Sequence, residues 1–263
     1  MTTRIRRLGW SGIEIERDGD TLLVDYVLDT SELPLRAVRQ PFPRASEPAT
    51  AVAGLLTHLH ADHADPVALA ASLRDGAPVF RPRPAAGSGP DLELTAHAEA
   101  AFDAVPLDAR VVGAWTSREV GPFVVHAVPA VDGFGDPQLS WVVESGSKRI
   151  IHAGDTLFHG YWWRIAQRFG PFDHAFLPIN GPTVDLPFLQ PPRGQAAVMT
   201  PEEAARAAHM LGARAVTPIH YGVLDEAPVY VDTDDPVGRL RAAGEGLGLQ
   251  VEVREPGDWF DLR

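Results

Sequence analysis

Four side chains able to bind a metal fall within six residues of the segment Thr57-His58-Leu59-His60-Ala61-Asp62-His63. They end Ala51–Thr57, a short apolar run that reads as a buried strand. On a strand or turn, His58 and His60 point the same way. Asp62 and His63 then sit around the corner, at the mouth of the next helix, so that one loop can supply two neighbouring metal ions. The competing reading is a solvated loop that happens to be rich in histidine. Distant partners weigh against it. His152-Ala153-Gly154-Asp155-Thr156 follows a strand, and its glycine allows close backbone approach. Thr217-Pro218-Ile219-His220 again places a donor at a strand's end. Strand ends gathered at one edge of a sheet make a site. The chain contains no cysteine. This excludes a disulfide framework, a thiolate zinc site, an iron–sulfur cluster and a cysteine nucleophile, and leaves imidazole and carboxylate as the donors.

The elements that must carry these residues follow from pattern. Residues 4–28 read as a meander, with Ile13 and Ile15 alternating with Glu14 and Glu16 before a turn at Asp18-Gly19-Asp20. Residues 33–50, with Pro34, Pro41, Pro43 and Pro48, read as a long loop. Asp65 caps a helix that has Pro66 at its first position and runs to about Leu73. Residues 81–91 read as loop and Glu93–Val105 as helix. Strands are expected at Phe123–Val128, Leu139–Glu144, Arg149–Ala153, Ala175–Ile179, Ala215–Ile219 and Leu249–Glu255. Helices are expected at Phe158–Phe169, from the capping box Thr200-Pro201-Glu202-Glu203 to Gly212, and over 235–247. No composition shift separates two cores, so residues 1–263 are expected to form one α/β domain.

The length of 263 residues gives ample material for a core, and 45% hydrophobic residues is ordinary for a globular chain. A net charge of −12 argues against a nucleic-acid partner, because phosphate binding needs basic stripes. No apolar run approaches the roughly 18 residues of a membrane span. The basic start MTTRIRRLGW has no apolar stretch behind it, so no secretory signal is expected and the cytoplasm is the expected location. Neither a Gly-x-Ser-x-Gly elbow nor a phosphate-binding GxxxxGK[ST] loop occurs, and Gly133-Phe134-Gly135 is too short for a dinucleotide fingerprint.

The HxHxDH motif at 58–63, the Gly-Asp at 154–155 and the late His220 resemble the metallo-β-lactamase superfamily. The segments Phe176-Leu-Pro-Ile-Asn180-Gly181 and Met199-Thr-Pro-Glu-Glu203 look like the branch related to L-ascorbate-6-phosphate lactonase. The likeness runs from about residue 4 to about 256. It implies a four-layer αββα sandwich with its site between the sheets at one edge. It further implies that His58 and His60 bind a first metal, that Asp62, His63 and His220 bind a second, and that Asp155 bridges both. Asp25, at the end of the Leu22–Asp25 strand, matches an acidic residue of the family and is better placed to orient a ligand histidine than to bind metal. The family usually adds one more histidine to the first metal. In Val128-Pro-Ala-Val131-Asp132-Gly133-Phe-Gly-Asp136 an aspartate stands there instead. Asp132 is expected to be a ligand; the other readings are that it only caps a turn, or that Asp136 serves.

The substitution changes the charge of the shell. Asp62, Asp132, Asp155 and a shared hydroxide would give four negative charges against four positive ones on two divalent ions. An oxygen ligand in place of an imidazole moves preference from zinc, the family's usual metal, toward manganese or iron. The implied function is metal-dependent hydrolysis of a small ester, lactone or related carbonyl compound. Two divalent ions would lower the pKa of a water they share, and Asp62 would orient it. His159, four residues past Asp155, or a metal-bound water is the expected proton donor. His152 is expected to support the site without binding metal. Asn180, Tyr221 and Trp162 are candidate substrate contacts. His97, His126, His174 and His209 lack ligand spacing. A small-molecule phosphodiesterase is the nearest rival, with Arg164 and Arg193 as the only candidate phosphate contacts. An accessory or binding protein with a degenerate metal site is the non-enzymatic alternative, and a homo-oligomer is open.

Overall fold

A computed structural model describes residues 2–31, 41–46, 49–188 and 194–262 of the chain. Arg193 and part of the proline-rich 33–50 stretch, including Pro34 and Pro48, lie outside them. Two seven-stranded mixed sheets pack face to face. The first has the order β16 (Phe260–Asp261), β1 (Arg4–Arg7), β2 (Ile13–Arg17), β3 (Asp20–Val24), β4 (Ala51–Leu55), β5 (Pro78–Arg81), β6 (Asp108–Val111). The second has the order β15 (Gln250–Val251), β13 (Ala215–Ile219), β11 (His174–Pro178), β10 (Lys148–His152), β9 (Leu139–Ser145), β8 (Phe123–Pro129), β7 (Ser117–Val120). Helices α1 (Pro66–Ser72) and α2 (Ala96–Ala104) cover the first sheet. Helices α3 (Tyr161–Phe169), α4 (Pro201–Leu211) and α5 (Pro236–Glu245) cover the second. This is the four-layer αββα sandwich that the resemblance implies.

Period-two alternation builds the layers. Ile150, Val143 and Trp141 face the core between the sheets, while their neighbours Ile151 and Val142 face the outer helices. On the first sheet Leu22 and Val24 point inward and Leu23 packs against the α1–α2 layer. Helix starts are chemically marked. Asp65 accepts from the Ala68 N–H at 2.8 Å, and Thr200 and Glu203 form the expected capping box.

Several expected bounds shift. The helix expected from Glu93 begins at Ala96, because a 3₁₀ turn occupies Gly89–Leu92. The 81–91 stretch contains the end of β5. Strands β5, β6 and β7 carry little alternation, and every residue of β6 is exposed at the sheet edge, so periodicity could not reveal them. The last expected strand shortens to Gln250–Val251. A separate two-stranded ribbon pairs β12 (Thr183–Val184) with β14 (Tyr230–Val231). No helix among the described residues is long and apolar enough to cross a membrane.

The sheets are stitched together beside the histidine-rich loop. The Trp141 indole N–H donates to the Leu56 carbonyl at 2.9 Å, and the Leu139 N–H donates to the Thr57 carbonyl at 2.8 Å. Trp141 is 2% exposed. Replacing it with phenylalanine leaves the Leu56 carbonyl without this donor and is expected to cost about 1–3 kcal/mol. Urea unfolding of Trp141→Phe measures this, and an unchanged midpoint would remove the indole as the stitch.

Candidate metal centre

Six strand ends meet at one edge of the sandwich. β3 and β4 run parallel, as do β10, β11 and β13, and β8 shares the direction of β10 because both are antiparallel to β9. Just past those ends come Asp25, the 57–63 loop, Asp132, Asp155, Asn180 and His220. Asp25 and His220 turn the chain with left-handed backbone, at φ +45° and +56°. Aspartate adopts this readily; for histidine it is an uncommon conformation that the surrounding contacts must hold.

The donors fall into three overlapping groups whose ligand atoms lie within 4.8 Å of one another: Asp62, His63, Asp155 and His220; His58, His60 and Asp62; and His60, Asp132 and Asp136. All seven residues expected to bind metal are therefore gathered here, with Asp136 added. Asp62 belongs to two of these groups and Asp155 to one. Asp155 faces His63 with Oδ1 at 3.1 Å and His220 with Oδ2 at 2.7 Å. Asp132 spends Oδ2 on the backbone N–H groups of Phe134 (2.7 Å) and Asp136 (3.0 Å). It therefore caps a turn and also stands at the site. Asp136 contacts His60 Nε2 at 2.9 Å.

Hydrogen-bond parity sets the imidazole tautomers. A carboxylate only accepts, so Asp25 Oδ2 takes the Thr57 hydroxyl proton at 2.6 Å and the His63 Nδ1 proton at 2.8 Å, while Oδ1 takes the Thr57 N–H at 2.8 Å. With its proton committed, Thr57 Oγ1 must accept from His58 Nδ1 at 3.0 Å. His58 and His63 therefore carry their protons on Nδ1. Their Nε2 atoms are buried in the site without a hydrogen-bond partner, as is Asp155 Oδ1. Unpartnered buried nitrogens and a carboxylate oxygen facing one another are what a cation would satisfy, so these residues fit a metal.

His220 is fixed the same way from another strand. Asn180 bonds the Asp232 carboxylate, an obligate acceptor, and the Tyr230 hydroxyl at 2.8 Å through Nδ2, so its Oδ1 accepts from His220 Nδ1 at 2.7 Å. Burial pushes the Asp232 carboxyl up to about 6, against the Thr233 N–H and the Asn180 amide. Trp10 holds the remaining ligand. Its indole N–H donates to Asp62 Oδ2 at 3.0 Å, its ring packs on His220 at 4.1 Å between centroids, and its carbonyl accepts the His220 N–H.

Charge follows the same arrangement. Burial, with His63 and His60 nearby, holds His58 well below the usual imidazole range. Burial also opposes a charge on His63, but Asp155, Asp62 and Asp25 outweigh it and raise its pKa well above the ordinary value, so with no cation bound Nε2 attracts a second proton that a metal there would displace. Burial would raise Asp155, yet His220 and His63 bring it far down.

Other expected residues have different partners. His152 donates from Nε2 to the Ser11 carbonyl at 2.8 Å and accepts the Gly154 N–H on Nδ1 at 3.3 Å, so it ties β10 to the Ser11 loop and orients no donor histidine. The expectation that His159 donates a proton is corrected: it does not line the cavity beside the metal donors. It stacks on Trp162 at 4.6 Å and accepts the Tyr161 N–H, and burial pushes it down to about 4, so it is neutral at pH 7. Trp162 is fully buried behind the second sheet with Ile165 and Phe169 rather than at the cavity. Tyr221 accepts from Arg7 at 3.4 Å and lies under its guanidinium, also outside the cavity. Asn180 supports His220 and does not line the cavity. Arg164 is exposed on α3 and absent from the lining. Sequence reasoning missed Trp10, Thr57 and Tyr230. Only Thr57, adjoining the motif, left a local signal.

Asp25→Asn keeps the shape but replaces an acceptor oxygen with a donor, and is expected to weaken metal affinity by roughly 10–100-fold. Gly154→Ala is expected to act on the same chain, since its Cβ would lie 2.6 Å from Thr57 Cβ at a backbone φ of +64°. Metal titration of both variants followed by elemental analysis checks this; wild-type affinity in Asp25→Asn would refute the role of the carboxylate.

Residues 20–221 match the family described as the beta-lactamase superfamily domain. A UPF0173 metal-dependent hydrolase of Rubrobacter xylanophilus is 30% identical across 97% of this chain and 95% of its own length. Among solved structures, the metallo hydrolase Igni18 of Ignicoccus hospitalis aligns with a TM-score of 0.67 at 18% identity, covering 100% of this chain and 99% of that one. The isothiocyanate hydrolase from Delia radicum gut bacteria aligns with a TM-score of 0.68 at 17% identity, covering 98% of each. With its imidazole and carboxylate donors gathered at the open edge of an αββα sandwich, the chain belongs to the metallo-β-lactamase superfamily, in the UPF0173 family of metal-dependent hydrolases.

Proposed function

We propose that the protein hydrolyses a small ester, lactone or related carbonyl compound with two divalent ions. The carrying observation is the pair of buried, unpartnered Nε2 atoms of His58 and His63 facing the Asp62–Asp155 carboxylates. His58 and His60, with Asp132 or Asp136, would hold one ion. Asp62, His63, Asp155 and His220 would hold the other, with Asp62 or Asp155 shared. When bound, the ions supply Lewis acidity and lower the pKa of a water at the site. The carboxylate-rich first position favours manganese or iron over zinc.

This chain's own residues do the rest. Trp10 holds Asp62 in place, so that the carboxylate can orient the attacking water. Tyr230 replaces His159 as the proton donor. Its hydroxyl accepts from Asn180, which leaves its own proton to give, and its side chain lines the cavity beside Asp155 and His220. Burial raises its pKa well above the ordinary phenol value, so it stays protonated. It can therefore bond the substrate's developing oxyanion or leaving oxygen. Addition of water across the acyl C–O bond yields an acid and an alcohol. The alignment with an isothiocyanate hydrolase lends support to an electrophilic carbon as the point of attack. Phosphodiester hydrolysis is the weaker reading, because no arginine or lysine lines the cavity among the described residues.

A panel of 4-nitrophenyl esters and lactones, assayed after stripping and reloading with manganese, iron or zinc, tests the activity. Stripped protein is expected to be inactive and the reloaded protein active. Tyr230→Phe is expected to lower kcat by about 10–100-fold with metal content unchanged, while His159→Ala stays near wild type. The reverse order of the two variants would return the proton to His159.

A further inference from the structure

Past the two sheet cores and the α1–α2 layer, a further cluster of apolar side chains sits directly against the metal donors. Trp10, Val184, Leu186, Ala197, Leu224 and Tyr230 are buried together, with Leu94, Phe134 and Phe188 packed on them. The β12–β14 ribbon supplies Val184 and Tyr230, and the Asp132–Asp136 turn supplies Phe134. That turn presses close to the ribbon's neighbour: a Cβ on Gly133 would lie 2.0 Å from the Ala197 carbonyl oxygen. Between this cluster and the donors lies a cavity of about 250 Å³. Its inner side is His60, Asp62, Asp132, Asp155 and His220, and its opposite wall is Leu94, Phe134, Val184, Leu186, Phe188 and Leu224. The volume falls just below that of drug-sized ligand sites, which begin at roughly 300 Å³, and so suits a small substituent.

Two physical constraints act on whatever enters. An anionic tail would lose its hydration against the apolar wall with no lysine or arginine among the described lining residues to replace it. Two bound ions would offset the charge of Asp62, Asp132 and Asp155, so no net attraction remains to draw an anionic tail in, and Glu93 at the mouth opposes it. An ammonium tail meets acidic groups only at the mouth and the metal side, and would have to desolvate along the wall between them. An apolar tail gains by burial against every wall residue.

We infer that the cavity between the donors and the β12–β14 ribbon is the acyl-side subsite, and that it selects an uncharged substrate with a small aliphatic or aromatic substituent. This rests on the hydrolase reading for its orientation, with the electrophilic carbon at the metals and the substituent on the wall. Leu186 and Leu224 thereby become specificity-determining residues, and phosphorylated or carboxylated metabolites are excluded as substrates.

Hydroxamates test this by binding, independently of turnover. Metal-loaded protein is titrated calorimetrically with hexanohydroxamic acid, with the carboxylate-tailed succinic monohydroxamic acid and with 6-aminohexanohydroxamic acid, all sharing one metal-binding head. The neutral tail is expected to bind at least about tenfold more tightly than either charged one. Equal or reversed affinities overturn the inference, whether or not any ester is cleaved. Leu186→Lys, verified by its metal content and circular dichroism, is expected to invert the order of the neutral and carboxylate tails. An unchanged order in that variant likewise overturns it. If the hydroxamate order holds while the ester and lactone panel shows no turnover, the subsite stands and the ester reading fails. If esters turn over without tail preference, the reverse is true.

Discussion

The site depends on one buried carboxylate. Asp25 is 1% exposed, and it accepts protons from the Thr57 backbone, the Thr57 hydroxyl and His63. Through Thr57 it also dictates the tautomer of His58. A single group behind the metal position thus commits two imidazoles to present lone pairs forward. Without it, each ring could place its proton on either nitrogen, and a ring with its proton on Nε2 cannot bind metal through that atom. Asn180 performs the same task for His220 from the second sheet. The two halves of the sandwich therefore prepare opposite sides of one centre.

That preparation relies on long-range packing. Arg7, 4% exposed, donates to the carbonyls of Gly9 and Trp10 and so fixes the β1–β2 connection. Trp10 then reaches Asp62 and His220. On the other sheet face, Trp141 and Leu139 bind the backbone of Leu56 and Thr57. The histidine-rich loop is held from both sides by side chains and backbone distant in sequence, so its donors stay grouped at one edge. Residues that bind one another rather than solvent are costly to misplace, and the left-handed backbone at Asp25 and His220 is tolerated on that account.

Much of this was legible in the chain. The 58–63 cluster, Asp155 and His220 carry their chemistry in residue type, and each follows an apolar run that had to be a strand. Asp25 could be placed behind a ligand only through the family resemblance, since the pairing of its strand with the one before that loop shows in the fold. What could not be read were contacts made across the fold. Trp10 lies 52 residues before its acceptor, and Tyr230 sits on a two-residue strand too short to show a period. Proximity in sequence also misled. His159, close to Asp155, turns into the start of α3 and stacks on Trp162. Trp162 and Tyr221 adjoin site residues, but their side chains face the helix layer and Arg7. Spacing along a loop does not determine which side of a sheet the loop will face. Strands β6 and β7 escaped because edge strands with mostly exposed residues have no hydrophobic face to reveal them.

The centre is rich in oxygen donors and backed by fixed tautomers, and an apolar wall faces it across a small cavity. Under the proposed reading, such a site would polarise an uncharged electrophile at the ions and bury its apolar substituent against the wall. Its central claim is the tautomer assignment. Long-range ¹H–¹⁵N correlation spectra of the zinc-loaded, ¹⁵N-labelled protein measure it directly. His58, His63 and His220 should each show a protonated Nδ1 and a metal-bound, unprotonated Nε2. A proton on Nε2, or binding through Nδ1, at His58 or His63 would contradict the role given to Asp25.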